Sequence, residues 1–205
     1  MYIPSFNRAS DNDEVLDFMR RYAFATLVTA RDGLPTATHL PFSVEKRGGD
    51  IFLTSHFARA NPQWRDLESH KVLVIFSEPH AYISPQHYDH ATNVPTWNYI
   101  SVHAYGDGRL LTEPSETVRV LEAMIKTYEA GYRSQWENLP EEYRMKMLKG
   151  IVAFEVKVGE LQAKKKLSQN RSEAERDRII KVLSTSADTS ETAIAAYMER
   201  DRRNA

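Results

Sequence analysis

Residues 54–62 bring together side chains that can bind a phosphate group. They include Ser55, His56 and Arg59, and they end in Asn61-Pro62, a pair typical of a helix start. A guanidinium offers a two-pronged donor to a phosphate, and the first turn of a helix offers free N–H groups. The segment therefore predicts a phosphate site between a strand and a short helix that runs to about residue 69. The alternative is a capped loop whose arginine points to solvent.

A second polar segment, residues 164–171, holds the densest positive charge, with four cations in eight residues. Within it lie Ser168, Gln169 and Asn170, whose hydroxyl and amide groups can bond to the edge of a ring. A charge run is most often a solvated surface. The segment is thus interpreted as a polar loop that is either solvated or binds an anion.

Metal and nucleophile chemistry find little support in the sequence. Four of the seven histidines fall between residues 80 and 103, close to Asp89, but their spacing matches no ligand pattern. The chain has no cysteine, which excludes disulfides, thiol catalysis and Cys-ligated zinc. No Ser/His/Asp arrangement and no catalytic pair of carboxylates stands out. We therefore predict no metal site and assign no catalytic residue.

Residues 90–106 contain no Asp, Glu, Lys or Arg, although 27% of the chain is charged. Their second half alternates, which predicts a strand with one apolar face and one aromatic, polar-edged face. The apolar face carries Ile100, Val102 and Ala104, and the other carries Tyr99, Ser101, His103 and Tyr105. Such a strand can close a sheet against a flat ligand, or it can be an internal strand with aromatic packing.

The remaining pattern predicts strands joined by hairpins, with few helices between them. Ser10 or Asp11 can cap a first helix, Asp107-Gly108 reads as a turn, and Ser172 with Glu175 forms a capping box before two last helices. Further strands are expected at 24–30, 36–44, 51–55, 72–77, 81–83, 109–112 and 151–161, with helices at 115–128 and 140–149. Glu155 and Lys157 are placed on the solvent face of the late strand. This pattern favours an α+β class, a mostly antiparallel β-barrel with peripheral helices.

Composition narrows the class of protein further. The 205 residues predict one main domain, at 1–171, with a C-terminal helical extension at 172–205. A net charge of -1 provides no global positive field for nucleic acid. No signal peptide and no apolar run near the roughly 20 residues of a membrane span is evident, so we expect a cytoplasmic protein.

Several blocks together resemble a known family. They are His39-Leu40-Pro41, residues 56–64, residues 79–85, Val94 to Tyr99 and Lys166-Leu167-Ser168-Gln169-Asn170-Arg171. From Met1 to about Leu183 the chain resembles the PaiB-type family, FMN-binding proteins named as negative transcriptional regulators. The resemblance implies an FMN-binding split β-barrel of the pyridoxamine-phosphate-oxidase type, and a homodimer with FMN between its subunits. The loop at 87–89 and the tail after Leu183 fit the family less closely.

The resemblance also implies which residues contact FMN. Thr38 and His39 would line the flavin, and Ser55, Arg59 and Asn61, in the segment that contains His56, would hold its phosphate. The other subunit would bring Trp97 and Asn98 to the flavin, and the late block would close the site with Lys166, Ser168, Gln169 and Arg171.

Two functions remain open from the sequence. One is a negative regulator that acts through its flavin or through a partner; no DNA-binding motif is evident, although Arg176, Arg178, Lys181 and residues 200–203 could form a partner or DNA surface. The other is an FMN-dependent oxidoreductase acting on a small molecule, in which the cofactor carries the chemistry. A haem-binding or haem-degrading split-barrel protein is a further alternative.

Overall fold

The structure is a computed structural model that describes residues 1–9 and 11–203. Seven strands form one antiparallel sheet in the order β2-β1-β5-β6-β7-β4-β3. The strands are β1 (Phe24–Arg31), β2 (Leu34–Pro41), β3 (Ser43–Arg47), β4 (Asp50–Ala58), β5 (Lys71–Ile83), β6 (Thr96–Leu110) and β7 (Ile151–Lys166). The helices are α1 (Asn12–Arg21), α2 (Pro114–Tyr128), α3 (Arg133–Asn138), α4 (Glu141–Lys149), α5 (Glu173–Leu183) and α6 (Thr189–Arg203).

Local signals in the sequence explain how several elements start and turn. Asp11 caps α1, since its carboxylate accepts hydrogen bonds from the N–H groups of Asp13 and Glu14 at 2.9 and 3.2 Å. The other predicted cap, Ser10, lies outside the described residues. The β1–β2 hairpin turns at Asp32 and Gly33, both with positive φ, as two-residue hairpin turns require. The two-bond capping box between Ser172 and Glu175 is confirmed at the start of α5.

The chain forms two compact units. One contains Leu16–Phe76 and His103–Leu161, and its core stacks aromatic rings: Phe57 and Phe154 lie 4.8 Å apart between ring centres. In the same unit, β6 approaches β7 so closely at Gly106 that an added Cβ would lie 2.3 Å from the carbonyl oxygen of Lys157. Only glycine fits at such a crossing.

The other unit contains Met1–Val15, Ser77–Val102 and Gln162–Ala205. Within it, α5 and α6 pack through buried apolar side chains: Ile179, Ile180, Leu183, Ile194, Ala195 and Met198. The hydroxyl of Ser190 bonds to both backbone groups of His80 at 2.8 Å, which fixes the start of α6 on the end of β5. The predicted boundary between residues 171 and 172 is untested and stays a prediction.

Several expectations from the sequence are wrong in detail. The two strands expected at 72–77 and 81–83 form one strand, β5, and the strand expected at 36–44 is divided between β2 and β3. The helix expected at 61–69 is a five-residue 3-10 helix, Pro62–Asp66. Asp107-Gly108 is not a turn, because β6 continues through it to Leu110. The loop expected at 164–171 begins as strand, since β7 runs to Lys166. Glu155 is buried rather than on the solvent face, and it accepts hydrogen bonds from Arg47 and Arg109 at 2.6 and 2.9 Å.

The α+β class, the antiparallel sheet and the peripheral helices are confirmed. The apolar face of β6 is also confirmed, since Ile100, Val102 and Ala104 are buried. Along the described stretches of the chain, no helix is both long enough and apolar enough to span a membrane.

Candidate functional site

A hydrogen-bonded group at the end of β4 joins Thr38, Asn61 and Gln63. The Asn61 amide donates to the Thr38 hydroxyl at 2.9 Å, and that hydroxyl donates to the Gln63 side-chain oxygen at 2.5 Å. Gln63 is buried and also donates to the Thr36 carbonyl at 2.9 Å, so it pins β2 beside the 3-10 helix. These bonds form a polar group on one face of β2. His39, the residue after Thr38, lies on the opposite face, where its exposed ring has its centre 6.4 Å from that of Phe24.

The predicted helix N-terminus is not available to a phosphate. The 3-10 helix Pro62–Asp66 has only five residues, and the Asn61 side chain already accepts from the N–H of Gln63 at 3.0 Å. The macrodipole argument therefore does not apply, since it needs several aligned peptide units. Any phosphate contact in this segment must come from side chains.

The exposed guanidinium of Arg59 is held in place by backbone carbonyls. Its Nε donates to the Lys149 carbonyl at 2.7 Å, and one Nη donates to the Ile151 carbonyl at 2.9 Å. These two bonds tie the end of β4 to the end of α4 and the start of β7. Arg59 and Trp64 also border a cavity of about 380 Å³ whose other walls are mostly apolar.

Ser55 and His56, two predicted FMN contacts on β4, have different surroundings. Ser55 is completely buried, and its hydroxyl donates to the Pro41 carbonyl at 2.7 Å, so in this arrangement it supports β2 and β4 and cannot reach a phosphate. His56 is half-buried, and its Nδ1 has no hydrogen-bond partner among the described residues. Burial lowers the pKa of His56, so the ring is neutral near pH 7 and has an unused polar atom.

In the other unit, Trp97 lies in an exposed aromatic group. Its ring centre lies 5.8 Å from that of Tyr82 and 5.9 Å from that of His80. About half of the Trp97 side chain and nearly half of Tyr82 are exposed. Aromatic rings exposed together on a surface are typical of a binding face.

Asn98 and Ser168 form an internal pair rather than a ligand contact. Asn98 is fully buried and accepts from the Ser168 hydroxyl at 3.1 Å. Gln169 is likewise used by the fold, because its amide donates to the Lys165 carbonyl at 2.7 Å and its oxygen accepts from the N–H of Leu167 at 2.8 Å. In this arrangement Asn98 and Ser168 shape the turn that follows β7, and the prediction that they contact the ligand stays a prediction.

Lys166 and Arg171 carry the positive charge of this turn. The Lys166 ammonium donates to the Thr96 hydroxyl, and burial followed by the nearby charge of Lys164 lowers the pKa of Lys166. The Arg171 guanidinium stacks on the Tyr88 ring, 3.6 Å from its centre, and donates to Asn93 at 2.9 Å. Both side chains are half-buried and remain available to a ligand.

The structure thus places six of the twelve predicted residues in each unit. It brings Thr38 and Asn61 into contact in one unit and Asn98 and Ser168 in the other. Sequence reasoning missed Gln63, whereas Lys164 lies in the segment 164–171 that was interpreted as either solvated or anion-binding. The sequence did indicate a role for Gln63, because a polar side chain directly after Asn61-Pro62, at a helix start, often forms a hydrogen bond to the backbone. In the described residues no group of three or more His, Asp or Glu side chains is placed to hold a metal ion.

A family model described as "Putative FMN-binding domain" matches residues 1–160. The chain is 40% identical over 202 residues to "Protease synthase and sporulation protein PAI 2" of Bacillus subtilis, covering 97% of each chain.

Two solved structures share the fold at 18% identity. They are the flavocytochrome Anf3 of Azotobacter vinelandii, with a TM-score of 0.63 over 80% of this chain and 72% of that one, and an FAD- and haem-binding protein of Mycobacterium smegmatis, with a TM-score of 0.62 over 78% and 73%. The predicted split β-barrel fold is confirmed.

Proposed function

This chain belongs to the FMN-binding domain family matched above, and from that premise we propose that it is a regulatory flavoprotein acting through its bound FMN and a protein partner. FMN is its cofactor. Bound FMN supplies reversible electron transfer, and the protein supplies binding and orientation. The regulatory role, the partner and the assembly are the proposed part.

The side chains at the candidate site fit a flavin phosphate. Thr38, His39, Arg59 and Asn61 offer hydroxyl, imidazole, guanidinium and amide groups within one unit, and His56 has a buried nitrogen without a protein partner. These groups match the phosphate, the hydroxylated chain and the polar ring edge of FMN. We propose that they hold FMN from one subunit.

The second subunit would complete the site with Trp97, Lys166 and Arg171. Trp97 is half-exposed and Phe24 two-thirds exposed, while the aromatic face of β6 is only half-buried. Large exposed apolar side chains favour association. We therefore propose a two-fold homodimer with FMN at its interface. Light scattering should give twice 23.6 kDa at micromolar concentration, and a monomer mass would contradict the proposal.

One observation supports a protein partner over DNA: three arginines of α5 and α6 are neutralised by carboxylates. Arg176 pairs with Asp201 at 3.2 Å, Arg202 pairs with Asp177, and Arg178 pairs with Asp89 in the loop before β6. DNA-binding proteins leave many such cations free for phosphates. Paired arginines on two helices make a poor DNA surface.

The name of the 40% identical relative supports a regulatory role, since it refers to protease synthesis and sporulation. An FMN-dependent oxidoreductase is the competing function, and one set of assays separates the two. The purified protein is loaded with FMN, confirmed by its absorbance spectrum, and mixed with NADPH under anaerobic conditions. Binding to a labelled duplex DNA is followed by fluorescence anisotropy.

The proposal expects no sustained NADPH turnover and no DNA binding at about 150 mM salt, where phosphate contacts are already weakened. Multiple turnovers would establish the oxidoreductase instead. Tight DNA binding that is lost in Arg176→Gln and Arg178→Gln would show that the helices contact DNA directly.

A further inference from the structure

Two lysines at the end of β7 lie on one face of the strand. Lys164 and Lys166 are two residues apart, and alternate residues of a strand share a face. Lys165, between them, faces the other way and pairs with Glu14 at 2.9 Å and with Asp201 at 3.4 Å. The charge of Lys165 is therefore compensated within its own unit.

The charges of Lys164 and Lys166 are not compensated in this way. Among the described residues, no carboxylate lies within 4.0 Å of either ammonium group. The Lys164 ammonium donates to the Tyr2 carbonyl at 3.2 Å and lies near the rings of Tyr2 and Tyr99, at 5.7 and 5.1 Å from their centres. Lys166 donates to the Thr96 hydroxyl.

Holding these two positive charges close together and partly buried is energetically unfavourable unless an anion binds beside them. Lys164 is only 8% exposed, and a buried ammonium group is unfavourable unless an opposite charge is near. A second ammonium beside it adds repulsion, and together with burial it lowers the pKa of Lys166. Lysines are rarely buried without a partner. The pair therefore points to an anion that comes from outside the chain.

We propose that Lys164 and Lys166 bind the phosphate group of a phosphomonoester. A phosphomonoester carries a charge of about -1.5 to -2 at pH 7, which matches two ammonium groups better than a single carboxylate does. The rings of Tyr2 and Tyr99 beside the Lys164 ammonium group suit a ligand with a flat ring next to its phosphate. The phosphate can belong to FMN or to a second ligand; the inference rests on the proposed function only for the first source.

The test measures stabilisation by inorganic phosphate. Thermal unfolding is recorded as phosphate replaces chloride at constant ionic strength, for wild type, Lys164→Met and Lys166→Met. Methionine keeps much of the side-chain length and removes the charge. The matched control is Lys181→Met, because Lys181 is an exposed cation in the same unit.

Wild type and the control should be stabilised in a saturable way, and each site variant should need about tenfold more phosphate for the same effect. Unfolding in chloride alone shows whether a variant still folds, and Lys166→Gln replaces Lys166→Met if it does not. Equal phosphate dependence in all the proteins, or no dependence in wild type, would overturn the proposal.

Flavin titrations then identify the source of the phosphate. If FMN is the source, Lys166→Met weakens FMN binding about tenfold and leaves the binding of riboflavin, which lacks the phosphate, unchanged. If a second ligand is the source, both flavins bind as they do to wild type although the phosphate response is lost. A protein that responds to phosphate but binds no FMN would refute the proposed function and leave this inference intact.

Discussion

Arg59 decides whether the first polar segment binds the FMN phosphate or only supports the fold. Its guanidinium donates at 2.7 Å to the Lys149 carbonyl and at 2.9 Å to the Ile151 carbonyl. These bonds use Nε and one Nη, and the exposed outer edge of the guanidinium can still face a phosphate. Arg59→Ala therefore has two separable effects, one on stability and one on FMN affinity.

The stability effect follows from the two carbonyl bonds. A hydrogen bond to a charged group contributes about 1.5–3 kcal/mol when shielded, and exposure reduces that contribution. For both bonds together we expect Arg59→Ala to lower the free energy of unfolding by about 1–2 kcal/mol, measured by urea denaturation. Arg65→Ala is the matched control, because Arg65 is an exposed arginine of the 3-10 helix that follows, and its guanidinium lies 5.2 Å from the centre of the Trp64 ring.

The affinity effect follows from the phosphate. Loss of charge-assisted hydrogen bonds worth about 1.5–3 kcal/mol weakens FMN binding about 10- to 100-fold, whereas riboflavin should bind the variant almost as it binds wild type. Arg59→Lys should recover only part of the loss, because an ammonium cannot reproduce the planar fork. Fluorescence titration of each flavin measures the difference. Equal losses for the two flavins, or no loss of FMN, would refute the phosphate role and leave Arg59 as a structural link.

Three further predictions concern stability. Burial lowers the pKa of His56 and of His103 from 6.5; the unfolded chain therefore binds protons that the folded chain does not, and stability should fall as the pH drops below about 6.5. Urea denaturation at pH 7.5 and 5.5 measures this, and a His56→Gln variant with the same pH dependence as wild type would contradict it. Glu155→Gln should lower stability by about 1.5–3 kcal/mol, because two half-exposed arginines lose their buried carboxylate; an unchanged urea midpoint would argue against that contribution. Gly106→Ala should cost about 1–3 kcal/mol through the clash with β7, while Gly131→Ala, which meets no atom within 4 Å, should cost little.

The elements that the sequence predicts correctly are those set by neighbours along the chain. The Ser172–Glu175 capping box and the Asp32-Gly33 hairpin turn depend on residues within four positions of each other, so a local pattern contains the whole signal. The split-barrel fold and the FMN cofactor were predicted from the family blocks. Composition and periodicity alone do not predict either of them.

The errors arise where distant parts of the chain decide the structure. Glu155 was placed in solvent because it alternates with valines, yet Arg47 and Arg109 come from other strands to neutralise it inside the protein. Gly108 was taken for a turn residue, but it is needed for close packing, since a Cβ there would lie 2.4 Å from the Leu67 side chain. A single sequence does not distinguish a glycine required by a turn from a glycine required by close packing.

The predicted site residues divide by side-chain length in a way that packing explains. Short polar side chains on strands, such as those of Ser55 and Asn98, lie close to the backbone, and burial obliges them to bond within the protein. Longer side chains, such as those of Arg59 and Lys166, reach the surface and can make one contact to the fold and another to a ligand. In this chain, the long charged side chains of Arg59 and Lys166 can therefore support the fold and contact a ligand at the same time, whereas Ser55 and Asn98 support the strands.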